Sequence, residues 1–192
     1  ATAEHTREEL DRETEVGELL DLRLQEQLTM YHPDDLPFEL AQLPDVFTRF
    51  RGKMEKRSEV RDPLKEPESM AVPEGLLSDE VPTLKELGVN APVKDARGVL
   101  PFKGGAVAAW ERMDHYFWET KKLRVYKKTR NGLLGADYSS KFSPWLALGC
   151  ISPREIHAQI RAFEAEVEKN EDTYWLIFEL IWRDYFRYVA MR

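Results

Sequence analysis

Cysteine is almost absent from this sequence of 192 residues, in which Cys150 is the only one. One cysteine excludes an intrachain disulfide and a zinc site built from several thiolates, and it is typical of a reducing compartment. No apolar run approaches the roughly 20 residues that cross a bilayer, and the first residues lack the apolar core of a secretion signal. We therefore expect an intracellular protein that does not span a membrane.

The common nucleotide and metal motifs are also missing. Neither G-x-x-x-x-G-K-[ST] nor G-x-G-x-x-G occurs, which excludes the two best-known phosphate-binding loops. The four histidines are far apart, and no pair of them has the spacing of metal ligands. They are His5, His32, His115 and His157. We expect no metal site and no Ser/His/Asp catalytic arrangement.

Charge and aromatic residues are distributed unevenly. Residues 1–100 contain 13 Lys and Arg against 23 Asp and Glu, a net charge of −10, whereas residues 101–192 contain 15 against 12, a net charge of +3. All five tryptophans lie in the second part. Six prolines between residues 60 and 101 predict an extended connection, because proline blocks helices. We expect two units with different roles on either side of it.

Apolar periodicity predicts a mainly α chain, with hardly any strand signal after residue 100. Predicted helices cover residues 6–28, 43–56, 106–128, 144–149, 153–169 and 174–192. A strand-like run follows Gln27 and stops at His32-Pro33. Predicted capping residues are Thr6, Ser143, Ser152 and Thr173, two of which precede a proline. The last helical pattern has no stop signal, so we expect a part of a longer protein.

A hydroxyl-rich join precedes Pro144. Ser139, Ser140 and Ser143 surround Lys141 at the predicted start of a helix, where unpaired N–H groups attract anions. Three hydroxyls and one ammonium suit a phosphate or a pyrophosphate. The alternative is an ordinary capped helix with solvated serines.

A basic run occupies residues 121–130, with six positive charges and no acid. Such a run can neutralise the phosphates of a nucleic-acid strand. The alternative is a solvated helix end, where cations are favoured by the helix dipole.

Seven of the 15 residues between Tyr174 and Tyr188 are aromatic. At helical spacing, one face of this segment carries Trp175, Glu179, Trp182, Arg183 and Phe186. A carboxylate and a guanidinium beside two indoles can stack a planar ring and bond its edge. The alternative is a buried helix with a Glu179–Arg183 ion pair.

Several segments of the chain closely resemble the photolyase/cryptochrome family, and in particular its DASH branch. They are YHPDDLPF (31–38), LPDVFTRFR (43–51), TRNGLLGADYSSKFSPWLALGCISPR (129–154) and TYWLIFELIWRDYFRYVAMR (173–192). The resemblance implies that residues 1–35 end an α/β antenna domain and residues 36–100 form the connector. Residues 101–192 would then be the first part of the helical domain that binds FAD.

The resemblance also implies roles for individual residues. The flavin-phosphate set would be Tyr126, Ser139, Ser140, Lys141, Phe142 and Ser143, with Arg183 facing the flavin. Contacts to damaged DNA would come from Arg130, Glu179, Trp182 and Phe186, of which Glu179 and Trp182 hold the damaged bases. Ser139 and Ser140 stand where the family often has threonine, and the hydroxyl is retained.

The activity implied is FAD-dependent, blue-light-driven repair of cyclobutane pyrimidine dimers, preferentially in single-stranded DNA, by a monomer. The alternatives are a flavin photoreceptor that signals without repair, and a flavin-free module that binds single strands. A folate antenna would occur only in the full-length protein, located in the bacterial cytoplasm or in a eukaryotic organelle or nucleus. Further flavin-site residues would follow Arg192, so we expect these 192 residues alone to be inactive.

Overall fold

The structure, a computed structural model, describes residues 3–65, 67–69, 71–72, 74–75, 80–91, 93 and 95–192. The chain divides into two compact units, one formed by Ala1–Pro63 with Phe102–Arg192 and the other by Leu64–Pro101. The second unit includes a turn in which Thr83 and Glu86 bond each other's backbone N–H groups. The domain boundaries at residues 35 and 100 stay predictions.

The first unit is built from seven α-helices. They are α1 (Arg7–Leu19), α2 (Phe47–Arg57), α3 (Ala106–Asp114), α4 (Tyr126–Thr129), α5 (Ser143–Ala147), α6 (Pro153–Glu166) and α7 (Glu171–Met191). Short 3-10 segments cover Pro33–Asp35, Leu40–Gln42 and Lys122–Val125, and a π-helical turn covers His115–Glu119. The part of the chain that the structure describes contains no strand longer than a single bridge. The prediction of a mainly α chain is therefore confirmed.

Two predicted helices are wrong in extent. The helix expected over residues 6–28 ends at Leu19, although its capping box of Thr6 and Glu9 is confirmed. The helix expected over residues 106–128 starts as predicted but is broken, because its backbone widens into the π-helical turn and is then interrupted at Lys121. Lys121 has a left-handed conformation, with φ of 53°, and a helix cannot continue through it.

The predicted caps have mixed outcomes. Ser152 caps α6, as predicted, and it also forms a capping box with Glu155. Ser143 is the first residue of α5 rather than its cap, and its hydroxyl caps nothing. α7 begins earlier than predicted, because Asn170 is its cap and Thr173 is the reciprocal partner in the capping box.

The segment that the sequence presents as strand-like is held by a buried side chain instead of a sheet. Both oxygens of Asp184 accept backbone N–H bonds, from Met30 at 2.9 Å and from Tyr31 at 2.9 Å. The hydroxyl of Tyr188 donates to the carbonyl of Tyr31 at 2.7 Å. Burial raises the pKa of Asp184 to about 7, although the two N–H groups favour the ionised form. α7 therefore anchors residues 29–31 to the core.

His157 on α6 makes the free energy of unfolding depend on pH. Burial lowers the pKa of His157 to about 4, the positive charge of Arg161 lowers it further, and the Nε of Arg161 donates to its Nε2. An unfolded histidine takes up its proton near pH 6.5, whereas the folded one stays neutral until about pH 4. The free energy of unfolding therefore falls as pH drops from 6.5 to 4.

We predict that His157→Gln removes about 1–2 kcal/mol of the stability difference between pH 7.5 and pH 5. Glutamine still accepts the bond from Arg161 but does not titrate. Urea unfolding of both proteins at the two pH values measures the effect. An unchanged difference in the variant would show that His157 titrates normally.

Candidate functional site

Three of the predicted flavin and DNA residues, Tyr126, Arg130 and Glu179, lie together around the short helix α4. Tyr126 at its start is buried and close to Glu179 of α7. Arg130, just after α4, places its Nη1 at 2.6 Å from the Oε1 of Glu179. Burial raises the pKa of Tyr126 to about 12, the charge of Glu179 raises it further, and Arg130 opposes the rise. Tyr126 is therefore a neutral phenol beside an ion pair at physiological pH.

The hydroxyl-rich loop before α5 is organised by Arg112, which sequence reasoning missed. The buried Arg112 side chain donates to the carbonyls of Ala136 (2.9 Å), Ser139 (3.1 Å) and Ser140 (3.0 Å). It also pairs with Asp137 at 2.8 Å. Four bonds from one guanidinium therefore fix the backbone that leads into the serines. A charged residue at a core position of a helical pattern was the signal that could have identified it.

The same loop is tied to α4. The Oγ1 of Thr129 donates to the carbonyl of Tyr138 at 2.8 Å. The ring of Tyr138 lies so close to Gly132 and Gly135 that a Cβ at either position would fall 2.6 Å and 2.9 Å from it, respectively. The two glycines are therefore required by contact with the ring. The loop is thereby held next to Tyr126 and Arg130.

The candidate anion-binding groups of this loop are uncommitted. The hydroxyls of Ser139, Ser140 and Ser143 have no hydrogen-bond partner, and Lys141 no ion pair, among the described residues. Lys141 has a left-handed backbone with φ of 61°. Phe142 is buried against the rings of Tyr116 and Phe117, so only its backbone is available to a ligand.

The aromatic face of α7 differs in part from its prediction. Trp182 is stacked on Phe47, with centroids 3.5 Å apart and planes 10° from parallel, and it also stacks with Phe186 at 5.5 Å. Phe186 is 63% exposed, so it is the open end of this stack. The Glu179–Arg183 ion pair of the alternative, a buried helix, does not form, because Glu179 pairs with Arg130. Arg183 instead donates to the carbonyl of Leu28 and does not join the residues around α4.

The basic run is partly neutralised by acids from α7 and from the segment between α6 and α7. Arg124 pairs with Glu168, Lys127 with Glu171, Lys128 with Asp172, and Arg130 with Glu179. Three of these pairs join residues 44 apart, because the run lies along the first half of α7. Neither a bare basic strip nor a purely solvated helix end describes this surface.

No group of three or more possible metal ligands occurs among the residues that the structure describes. Within the same residues, no helix has the length and apolar character to cross a membrane.

No protein-family model matches the chain. Its curated relatives include a cryptochrome DASH from Natronomonas pharaonis, 50% identical over 186 residues, which cover 94% of this chain and 39% of that protein. One from Danio rerio is 51% identical over 166 residues, covering 85% of this chain and 32% of that protein. The chain thus spans about a third to two fifths of the length of these relatives.

Solved structures give the same result for the fold. The structure of a cryptochrome from Synechocystis sp. PCC6803 matches this chain with a TM-score of 0.89 and 43% identity. The match covers 99% of this chain and 40% of the cryptochrome chain. A bacterial class III photolyase from Agrobacterium tumefaciens has a TM-score of 0.77 with the same coverage. Its identity is 19%, so this second likeness concerns the fold alone.

Proposed function

The chain belongs to the cryptochrome DASH branch of the photolyase/cryptochrome family, and we propose that its whole protein uses FAD and blue light to repair cyclobutane pyrimidine dimers in single-stranded DNA. The observation that carries this proposal is the cluster around α4. There the Glu179–Arg130 ion pair lies beside Tyr126, next to a loop with three uncommitted hydroxyls. The cluster offers an anion site and a base-recognition site in one neighbourhood.

The loop fits the diphosphate of FAD. Ser139, Ser140 and Ser143 provide hydroxyl donors and Lys141 a positive charge, which are the groups that bind phosphate oxygens. The nearby carboxylate of Asp137 already pairs with Arg112 and His115. These partners screen its negative charge, so its repulsion of a bound anion is reduced. α5 has only five residues, so we assign the binding to these side chains and the fixed backbone rather than to a helix dipole.

The chain's own residues then perform recognition. Reduced FAD, when bound, supplies the electron that splits the dimer. Arg130 holds one oxygen of Glu179, which leaves the other free to accept a bond from the imide N–H of a flipped base. Phe47 fixes the plane of Trp182, and the exposed ring of Phe186 extends the apolar surface against which the dimer packs.

We further propose the domain assignment and the setting of the whole protein. Residues 1–35 would end the antenna domain, residues 36–100 form the connector, and residues 101–192 begin the FAD-binding domain. The bonds from α7 to Met30 and Tyr31 support a close association of the first of these parts with the last. The protein would be a monomer inside the cell, with a folate antenna. A relative from Arabidopsis thaliana carries the description "chloroplastic/mitochondrial".

The test is repair by the whole protein. It is expected to purify with FAD and, under blue light, to repair a dimer in a single-stranded oligonucleotide. Glu179→Gln should lower the repair rate about tenfold, because it removes a charge-assisted bond to the base and leaves FAD content unchanged. Glu166→Gln, at an exposed position at the end of α6, is the matched control.

Each result has a distinct meaning. Repair that Glu179→Gln leaves unchanged would contradict the role of that carboxylate. Tightly held FAD without any repair would favour a photoreceptor that signals through a partner. A colourless protein would contradict the flavin site itself.

A further inference from the structure

A second cationic site, with none of the loop serines in its lining, lies next to the start of α7. A cavity of about 490 Å³ is lined by four cations, Lys121, Lys122, Arg124 and Lys128, and by a single carboxylate, that of Glu168. The whole chain has a net charge of −7, so this concentration of positive charge is local. The roles proposed above for FAD and the dimer use none of these five residues.

The ion pairs leave two of these four cations unbalanced. Glu168 is taken up by Arg124. Lys128 is 75% exposed and its Nζ lies 3.9 Å from the Oδ2 of Asp172, the limit of an ion pair. Lys121 and Lys122 have no ion pair with any residue that the structure describes. The cavity therefore has a surplus of positive charge that an anion would balance.

The backbone at this cavity is unusual. Only two non-glycine residues in the described part of the chain have a positive φ, and both are lysines. One is Lys141 in the serine loop and the other is Lys121, at 53°. Such a conformation is disfavoured for residues with a Cβ and is concentrated at functional sites. Glycine would relieve it at Lys121, yet the position carries a cation.

The cavity and the dimer-binding residues lie along the same helix. Asn170 lines the cavity and caps α7, and Glu179 follows nine residues later, which is about 13 Å along the helix axis. Between them lies Trp175, with the Nζ of Lys127 at 4.3 Å and the guanidinium of Arg130 at 5.8 Å from its ring. Alternating cations and aromatic rings are typical of surfaces that bind single strands.

We propose that this cavity binds backbone phosphates of the DNA strand outside the damaged nucleotides, chiefly through Lys121 and Lys122. The inference rests on the proposed action on DNA. The cations are largely exposed, as suits phosphates carried by a strand lying on the surface, whereas an isolated small anion needs buried donors. The site would set affinity for the strand without reading its sequence.

The experiment measures binding of an undamaged single-stranded oligonucleotide to the whole protein at several salt concentrations. Each phosphate contact on a single strand contributes about 0.7 to the slope of log K against log salt. Lys121→Ala with Lys122→Ala should therefore lower the slope by about 1.4. Between 50 and 200 mM salt, the unmodified protein should lose about sevenfold more affinity than the variant.

The control is Lys53→Ala with Lys56→Ala, which removes two exposed lysines from α2. It should leave the slope unchanged. Repair at saturating substrate should be the same in this control variant and in the unmodified protein. An unchanged slope in the Lys121/Lys122 variant, or an equal fall in the control, would overturn the proposal. Absence of flavin or of repair in the unmodified protein would refute the proposed function. The salt slopes would still decide whether this cavity binds phosphates of a DNA strand.

Discussion

Arg112→Ala is expected to weaken FAD binding by the whole protein about 100-fold. Arg112 is the only residue found to bond three carbonyls of the loop and the carboxylate of Asp137, within the part of the chain that the structure describes. Hydrogen bonds to a charged group contribute about 1.5–3 kcal/mol each. Losing two of the bonds from Arg112 therefore already corresponds to an increase of about 100-fold in the dissociation constant of FAD. The serines would no longer be held in position before the ligand arrives.

The measurement is the dissociation constant of FAD, from the fluorescence of flavin released on dilution. Arg112→Lys should fall between the two proteins, because an ammonium can still pair with Asp137 but cannot form the fork to three carbonyls. Arg7→Ala is the matched control, since Arg7 is 90% exposed on α1. Thermal unfolding recorded in parallel separates lost binding from lost folding. Unchanged FAD affinity in a folded Arg112→Ala protein would contradict the account.

Asp184→Ala is expected to lower the free energy of unfolding by about 2–5 kcal/mol. The substitution leaves the N–H groups of Met30 and Tyr31 buried without an acceptor, and each such loss costs about 1–3 kcal/mol. Asp184 is completely buried, so water does not replace the carboxylate readily. Urea unfolding at pH 8 is the appropriate measurement, because the carboxylate is then ionised.

Two further variants calibrate this result. Asp184→Asn keeps one carbonyl acceptor and should lose less stability than the alanine variant. Asp11→Ala removes an exposed carboxylate that pairs with Arg7 and should change stability by less than about 0.5 kcal/mol. If Asp184→Ala were no worse than Asp11→Ala, residues 29–31 would not depend on α7.

The sequence was sufficient to predict a structural feature wherever the residues that determine it lie within a few positions of each other. The capping box at Ser152 and Glu155 was predictable because both members are three residues apart. The serine loop was found for the same reason. The break at Lys121 was missed, because nothing in the side chain of a lysine signals a left-handed backbone.

Determinants distant in sequence were not predictable. The run after Gln27 has strand-like composition, yet its N–H groups bond to Asp184, more than 150 residues away. The acids that neutralise Arg124 and Lys127 lie 44 residues later. Arg112 was missed because most of its partners are backbone carbonyls, which any sequence provides. Helical spacing placed Glu179 and Arg183 together, but their side chains bond to different elements.

A crystal structure of the whole protein with FAD tests the central claim most directly. We expect diphosphate oxygens within about 3.2 Å of hydroxyl or N–H groups of Ser139, Ser140 and Ser143, on the side of the loop that faces Tyr126. A diphosphate bound elsewhere, with all three serine hydroxyls in contact with solvent alone, would contradict it.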